Sequence, residues 1–440
     1  MRSTIKALLY EWKKRELPEM VERDTGLGVY LKPPRKIIAV SGFRRVGKTY
    51  ASFLLIKKLL EKMGREEVVY INFEDERIPR DTAFLTEILP TIREVFSKEP
   101  KILFLDEVQS MPEWSRWLRR VYDSTGMYIF VTGSSSKLSA REIPTELRGR
   151  FMDIRLFPLS FREFLAFKGV HADPQAASYS MDERAKVFKA LSEYLEFGGL
   201  PEVALANSAD IKRETLQNYY RTVVSRDIAE RFKVRNEEGL KAVLSLLLNS
   251  THYSVSMLYR TLKSIGFTIG KTTVLEYISH AEDSFFLYSL PVFSRKAKDQ
   301  MQHPRKAYFI DTGFITALST KPPGSMGRLY ENAVFLELKR RQKSGSEVYY
   351  WKNPQQEEVD FVQVRGAKAV QLVQVCIDPT GPETHKRETR ALLKAAEELE
   401  CKDLLVITES LESSEKAKGK TIHYIPLWKW LLGPMAARPL

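Results

Sequence analysis

The sequence predicts an α/β fold centred on a parallel sheet, and three observations carry that expectation. Residues 36–158 alternate short apolar runs with helical patterns, the rhythm of strands joined by crossover helices. The runs KIIAVSG from 36, VVYINF from 68, KILFLDE from 101, MYIFVTGSS from 127 and FMDIRLF from 151 are apolar at nearly every position, as strands covered on both faces must be. Third, GFRRVGKT at 42–49 matches G-x-x-x-x-G-K-[ST] and lies between a strand and a helix, the setting in which that spacing has physical meaning.

Taken in order, the N-terminal MRSTIKALLYEWKKRELPEM reads as a short amphipathic helix, its apolar run broken by Glu11, Lys13, Lys14 and Arg15. After the first strand, Gly42 and Gly47 let the backbone curl so that its N–H groups converge on phosphate oxygens, and the helix from Lys48 adds its positive end. Lys48 is expected to reach the β- and γ-phosphates and Thr49 to place its hydroxyl on Mg²⁺. The nucleotide contacts expected of this segment are Gly42, Arg45, Val46, Gly47, Lys48, Thr49 and Tyr50.

The third strand ends in Asp106 and Glu107, two carboxylates whose burial is costly unless something recruits them. Asp106 is placed for the Mg²⁺ shell and Glu107 to polarise an attacking water, against the alternative that both cap the next turn. The fourth strand runs into Ser134, Ser135 and Ser136 at the edge where ligands sit in parallel sheets. One of them could sense the γ-phosphate, although serines are common in loops. Arg148 and Arg150 precede the fifth strand; either could neutralise transition-state charge, in cis or from a neighbouring subunit, or make a surface salt bridge.

From 159 to 235 aromatic-rich helical patterns replace strands, with a Gly-Pro break at FGGLPEV. Arg226 and Asp227 in this stretch read as a structural pair. Residues 236–310 then show three helices followed by the apolar runs FFLYSL and KAYFID, the order of a winged helix-turn-helix. Its basic residues outnumber its acidic ones and concentrate in SRKAKDQMQHPRK, Lys306 included, where a wing could straddle phosphates. Lys271, Thr272, Thr273 and Glu276 open the presumed recognition helix; packing or protein contact is the competing use of this unit. From about 325 a helix, strands EVYYW, VDFVQV and AVQLVQVCI, a long helix near 384–400 and strands DLLVIT and TIHYI form a separate α/β unit.

Composition agrees with a folded protein of several domains. The 440 residues are 43% hydrophobic and 28% charged, which excludes disordered and collagen-like classes. A net charge of +13 points to a polyanionic partner without choosing one. Two cysteines, Cys376 and Cys401, make no disulfide framework, and no apolar run is long enough to span a bilayer, so a reducing, cytoplasmic setting is expected.

In this order, GFRRVGKT, NFEDERI, LDEVQ, TGSSSKLSARE, LRGRF, PLSFREFL and FGGLPE resemble the AAA-type ATPases common in archaea and bacteria, over nearly the whole chain. The resemblance implies a P-loop NTPase sheet of order 5-1-4-3-2, with Glu107 as catalytic base, Ser134 as sensor and Arg150 as the likelier finger. It implies, beyond the winged helix, a C-terminal fold related to PD-(D/E)XK nucleases, also called restriction-endonuclease-like. There Glu331 and Asp360 match metal-binding positions, but the expected Glu-x-Lys is Gln374, Val375, Cys376. With Glu358 expected on the opposite strand face, that nuclease site reads as degraded and inactive.

The expected organisation is an ATPase core at 1–158, a helical lid or connector at 159–235, a winged helix at 236–322 and a nuclease-like domain at 323–440. The expected activity is Mg²⁺-dependent ATP hydrolysis coupled to DNA binding or remodelling, with a homo-oligomer possible. The alternatives are an ATP-gated signalling or scaffold protein of slow turnover and, behind it, a metal-dependent nuclease.

Overall fold

The computed structural model describes residues 1–433 apart from 24, 134–144, 172 and 320–325. It divides into one compact unit of Met1–Phe157 and a second that begins at Pro158. In the first, helix α1 (Arg2–Lys14) precedes β1 (Ile37–Ser41), α2 (Lys48–Leu60), β2 (Val68–Asn72), α3 (Thr82–Phe96), β3 (Ile102–Asp106), α4 (Trp114–Ser124), β4 (Tyr128–Gly133) and β5 (Phe151–Arg155).

All five strands are parallel in the order β2-β3-β4-β1-β5, the expected 5-1-4-3-2 read from the other edge. Strand alternation divides the core. Ile37, Ala39, Val69, Ile71, Leu103, Leu105, Ile129 and Val131 join Ile5 and Leu9 of α1 and the inner faces of α3 and α4 in one cluster. On the opposite face, Phe104 and Phe130 stack with centroids 4.8 Å apart. The chain leaves β1 for β2, returns through β3 and β4, and crosses β1 to form β5. That reversal brings the C-terminal ends of β1, β4 and β3 side by side, where an open parallel sheet binds its ligand.

The second unit begins with α5 (Phe161–Phe167), whose Ser160 and Glu163 form a reciprocal capping box contributing about 1 kcal/mol. Then come α6 (Pro174–Tyr179), α7 (Met181–Phe197), α8 (Pro201–Leu205) and α9 (Ala209–Thr222), continued by a π-helical stretch over Val223–Glu230. Three helices, α10 (Glu237–Leu248), α11 (Val255–Ser264) and α12 (Lys271–Asp283), accompany an antiparallel sheet of β6 (His252–Tyr253), β7 (Leu287–Leu290) and β8 (Arg305–Phe309), ordered β6-β8-β7. Helix α13 (Ala297–Gln302) lies between β7 and β8, and α14 (Thr312–Leu318) follows them.

The chain then forms α15 (Met326–Arg340), β9 (Ser346–Lys352), β10 (Glu358–Arg365), β11 (Lys368–Val375), α16 (Pro382–Glu398), β12 (Leu404–Thr408), β13 (Ser413–Ala417), β14 (Lys420–Pro426) and α17 (Leu427–Leu432). Strands β9 to β14 make one mixed sheet, β13-β14-β12-β11-β10-β9, with α16 packed on β10 and β11 over a core that includes Val362, Leu372, Leu392 and Val406. Among the described residues no helix is long and apolar enough to cross a membrane.

The expectation that Glu358 faces away from Asp360 is wrong. Residues two apart on a strand share a face, and both carboxylates lie 2.8 Å from Lys306 Nζ.

Candidate functional site

The loop between β1 and α2 carries the motif glycines in the geometry that only glycine permits. A Cβ on Gly42 would fall 2.4 Å from the Leu156 carbonyl oxygen, and Gly47 takes φ 92° as it caps α2. Arg45 is left-handed at φ 66°, while Val46 is buried and its carbonyl accepts a 2.6 Å hydrogen bond from Arg23 Nη1. The other arm of that guanidinium reaches the Phe157 carbonyl at 3.1 Å, so Arg23 ties the loop to the segment leaving β5.

Lys48, only 7% exposed, donates from Nζ to the carbonyls of Gly42 and Phe43, both at 3.1 Å, which keeps its ammonium inside the curl of the loop. Tyr50 is half exposed at the first turn of α2 and meets Phe53 edge to face at 6.3 Å. Thr49 Oγ1 donates to Asp106 Oδ2 at 2.8 Å, joining the loop to the end of β3.

Asp106 is 4% exposed and accepts three hydroxyls: Thr49, Tyr70 Oη at 2.7 Å, and Thr132 Oγ1 on its other oxygen. Glu107 follows at φ 53°, its N–H donating to Thr132 Oγ1 at 3.1 Å and its carboxylate accepting from the Gln109 amide. Burial pushes the Glu107 carboxyl above the ordinary carboxylate range, with Lys48 opposing the shift. A hydroxyl and a carboxylate 2.8 Å apart are the hard oxygen donors that Mg²⁺ takes alongside water and phosphate, so Thr49 and Asp106 fit that ion.

The structure therefore brings Gly42, Arg45, Val46, Gly47, Lys48, Thr49, Tyr50, Asp106 and Glu107 to one end of the sheet. Ser134 lies outside the described residues, as do Ser135 and Ser136. Arg150 is not part of this cluster. Its carbonyl receives the Ile37 N–H at the start of β1, on the N-terminal edge opposite the glycine loop, and its guanidinium pairs with Asp123 at 2.8 Å. From that edge the Arg150 guanidinium points away from the same chain's glycine loop and makes the ion pair with Asp123. Arg148 is exposed on the same turn.

Sequence reasoning missed Tyr70, Thr132 and Arg23. The first two sit on strands beside β3, at Tyr70↔Phe104 and one position past Leu105↔Val131, so the strand order together with the alternation could have found them. Arg23 belongs to a stretch without periodicity and left no signal.

In the second unit, Lys271 and Thr272 are exposed at the start of α12, and Arg295, Lys296 and Lys298 are exposed between β7 and β8. Lys306 does not belong with them. It is 2% exposed and bonded to Glu331, Glu358 and Asp360, so one charge assigned to phosphate contact is internal. Gln374 accepts from the Asp360 N–H at 3.2 Å and donates to Glu388 at 2.6 Å, and burial pushes the Cys376 thiol up to about 11.

Residues 34–165 match the family model described as an AAA domain, and residues 188–324 and 326–430 match two models of unknown function. The "Uncharacterized protein MJ1544" of Methanocaldococcus jannaschii is 36% identical over 409 residues, covering 91% of this chain and 89% of that protein. A Haemophilus influenzae protein is 29% identical over 419 residues, covering 93% and 98%. Among solved structures, the Walker-type ATPase PABY2304 of Pyrococcus abyssi aligns with 68% of this chain and 96% of that one, at 14% identity and a TM-score of 0.44.

Proposed function

The chain belongs to the family of the Methanocaldococcus jannaschii protein that it matches at 36% identity, with an AAA domain at residues 34–165, and on that premise we propose that it is a Mg²⁺-dependent ATPase whose cycle is coupled to DNA. The observation that carries the reading is the Thr49–Asp106 hydrogen bond beside Lys48 and Glu107. It joins the phosphate loop to the carboxylate that ends β3, with Glu107 next in the chain, the charge positioning that phosphoryl transfer needs.

In this reading the N–H groups of the loop and the Lys48 ammonium hold the phosphates. Thr49 and Asp106 hold Mg²⁺, which when bound supplies neutralisation of the phosphate charge. Glu107 takes the proton of the attacking water, and Ser134 senses the γ-phosphate. Arg150 acts from a neighbouring copy, which makes a homo-oligomer part of the proposal. The chain is read as an ATPase core to residue 158, a helical connector to 235, a winged helix to 322 and a nuclease-like unit without nuclease activity beyond it. The order of α10, β6, α11, α12, β7 and β8 supports the winged-helix assignment. Arg295, Lys296 and Lys298 would contact DNA phosphates, and the start of α12 would meet base edges.

A second reading, an ATP-gated scaffold of slow turnover, draws on exposed apolar side chains of the same segment: Met257 on α11 at 38%, Ile265 just past α11 at 58% and Leu275 on α12 at 53%. Exposed apolar side chains suit protein contact better than phosphate contact. Steady-state Mg²⁺-ATP turnover, measured with and without single-stranded, duplex and branched DNA at low salt, separates the two. Stimulation by DNA is expected, and turnover indifferent to every DNA would favour the scaffold. Lys48→Ala should lose ATP binding, and turnover that persisted in Lys48→Ala would remove the ATPase assignment itself.

A further inference from the structure

A single lysine of the second unit is sealed among carboxylates. Lys306, the second residue of β8, places its Nζ 2.9 Å from Glu331 Oε1, 2.8 Å from Glu358 Oε1 and 2.8 Å from Asp360 Oδ1. The three acids come from α15 and β10, neither of which carries the lysine. The arrangement is braced on every side. Tyr308 donates to Glu331, the Val375 N–H donates to Asp360 Oδ2 at 2.9 Å, and the Asp360 N–H donates to Gln374 at 3.2 Å. His252 and Lys352 approach the outer oxygen of Glu358 at 3.2 and 3.3 Å.

Carboxylates from separate elements converge on one buried point only when a cation sits there, because leaving any of them uncompensated costs several kcal/mol. An ammonium has three N–H donors, and each finds one carboxylate oxygen here. The spacing is that of charge-assisted N–H···O bonds, whereas divalent ions hold carboxylate oxygens at about 2.0–2.6 Å. Among the described residues, no group of three or more His, Cys, Asp or Glu is placed to hold a metal. Lys306 is the one cation among the described residues that meets all three acids, while Lys352 and His252 reach only the outer oxygen of Glu358.

We propose that Lys306 is the resident cation of this carboxylate site, standing where a divalent metal would otherwise sit, and that removing its ammonium uncovers a divalent-cation site built by Glu331, Glu358 and Asp360. While Lys306 is in place the cluster cannot organise a metal-bound water. It acts instead as an ionic lock that holds β8 to α15 and β10.

The test uses the full chain without nucleotide and Mn²⁺ as the probe, read by the electron paramagnetic resonance of unbound Mn²⁺ and by thermal melting. The glycine loop is intact in every variant, so its own cation binding is a constant background. Lys306→Met should gain a Mn²⁺ site absent from the natural chain and melt higher with Mn²⁺ than without. Adding Asp360→Asn should weaken that site at least ~10-fold. Should Lys306→Met fail to fold alone, Lys306→Gln removes the ammonium while keeping an N–H donor and all three carboxylates, and a Mn²⁺-dependent rise in Tm answers the same question. Mn²⁺ binding by the natural chain that depends on Asp360, or no Mn²⁺-dependent gain in either Lys306 variant, would overturn the proposal.

Discussion

The hydroxyl of Tyr70 donates to Asp106 Oδ2 at 2.7 Å, on the same oxygen that accepts from Thr49 at 2.8 Å. Burial and the Asp106 charge raise the Tyr70 pKa far above its ordinary value, so the phenol stays a donor. Its ring is fixed by Trp12, 5.6 Å away, and by the Arg15 guanidinium 5.7 Å above it. Helix α1 thereby braces the carboxylate proposed to hold Mg²⁺. Tyr70→Phe keeps the ring packing and removes one hydrogen bond. The Mg²⁺ concentration for half-maximal ATP turnover should rise ~10-fold, with nucleotide binding in the absence of Mg²⁺ unchanged. A Mg²⁺ titration of turnover checks this, and an unshifted midpoint would make Tyr70 a packing residue only.

If Glu107 is the base proposed above, turnover has a direction in pH. A general base works only when deprotonated, and burial raises this carboxyl above the ordinary carboxylate range. As pH falls, activity should therefore fail earlier than a solvent-exposed glutamate would dictate. Glu107→Gln should lower kcat by about 10²-fold or more while still retaining ATP, and should flatten that acid limb. An acid limb that survives in Glu107→Gln would assign the titration to another group.

Much of the first unit was legible because its physics is local: apolar runs of strand length, helical spacing between them, and a glycine at 47 whose φ of 92° opens the helix that follows. What the pattern hid was non-local. Strand β13, SSEKA, is polar and pairs only at the edge of its sheet, so it has no hydrophobic signature. Lys306 looks like any wing lysine in the sequence, and its three partners lie 25, 52 and 54 residues further on. Arg150 matched its motif, yet only the register Ile37↔Phe151 reveals that it sits at the sheet edge away from the loop.

Asp311 anchors a close approach of backbones in the second unit. Its oxygens accept from the N–H groups of Gly199 at 2.8 Å and Gly313 at 2.9 Å, and a Cβ on Gly198, where φ is 80°, would fall 1.4 Å from Oδ1. Gly198→Ala should therefore destabilise the fold by about 1–3 kcal/mol or more, measured by denaturant unfolding. Burial pushes the Asp311 carboxyl up to about 7. Between roughly pH 4 and 7 the folded chain holds a proton there that the unfolded chain releases, so at this site stability grows as pH falls through that window. Asp311→Asn should remove this component from the pH dependence. An unchanged difference in stability between pH 8 and pH 5 would show that the carboxyl does not titrate there.

Arg150 should matter to turnover only between copies of the chain. Its guanidinium is 34% exposed and held by Asp123 at the edge of the sheet opposite the glycine loop. If it serves a neighbour's site, specific activity rises with protein concentration, and Arg150→Ala lowers kcat by ~10³-fold with ATP affinity preserved. Mixing Arg150→Ala with Lys48→Ala chains should then restore turnover, because each supplies what the other lacks. Activity independent of concentration and indifferent to Arg150→Ala would reduce the Arg150–Asp123 pair to a surface salt bridge worth about 0–1 kcal/mol.

In the proposed DNA-coupled reading, the exposed basic side chains between β7 and β8 would set the salt dependence of binding. Arg295, Lys296 and Lys298 face solvent, whereas Lys306 is spent inside the protein on Glu331, Glu358 and Asp360. Each phosphate contact contributes roughly 0.9 to the slope of log affinity against log salt on duplex DNA. Changing Arg295, Lys296 and Lys298 together to alanine should therefore reduce that slope by up to about 2.7 and weaken binding to all sequences alike, since phosphate contacts position without specifying. Lys271→Ala, at the start of α12, should instead change affinity in a sequence-dependent way. Fluorescence anisotropy across a salt series measures both. A slope that does not move in the triple variant would take the β7–β8 segment out of the DNA interface and leave the α11–α12 segment, with its exposed Met257, Ile265 and Leu275, as a surface for protein.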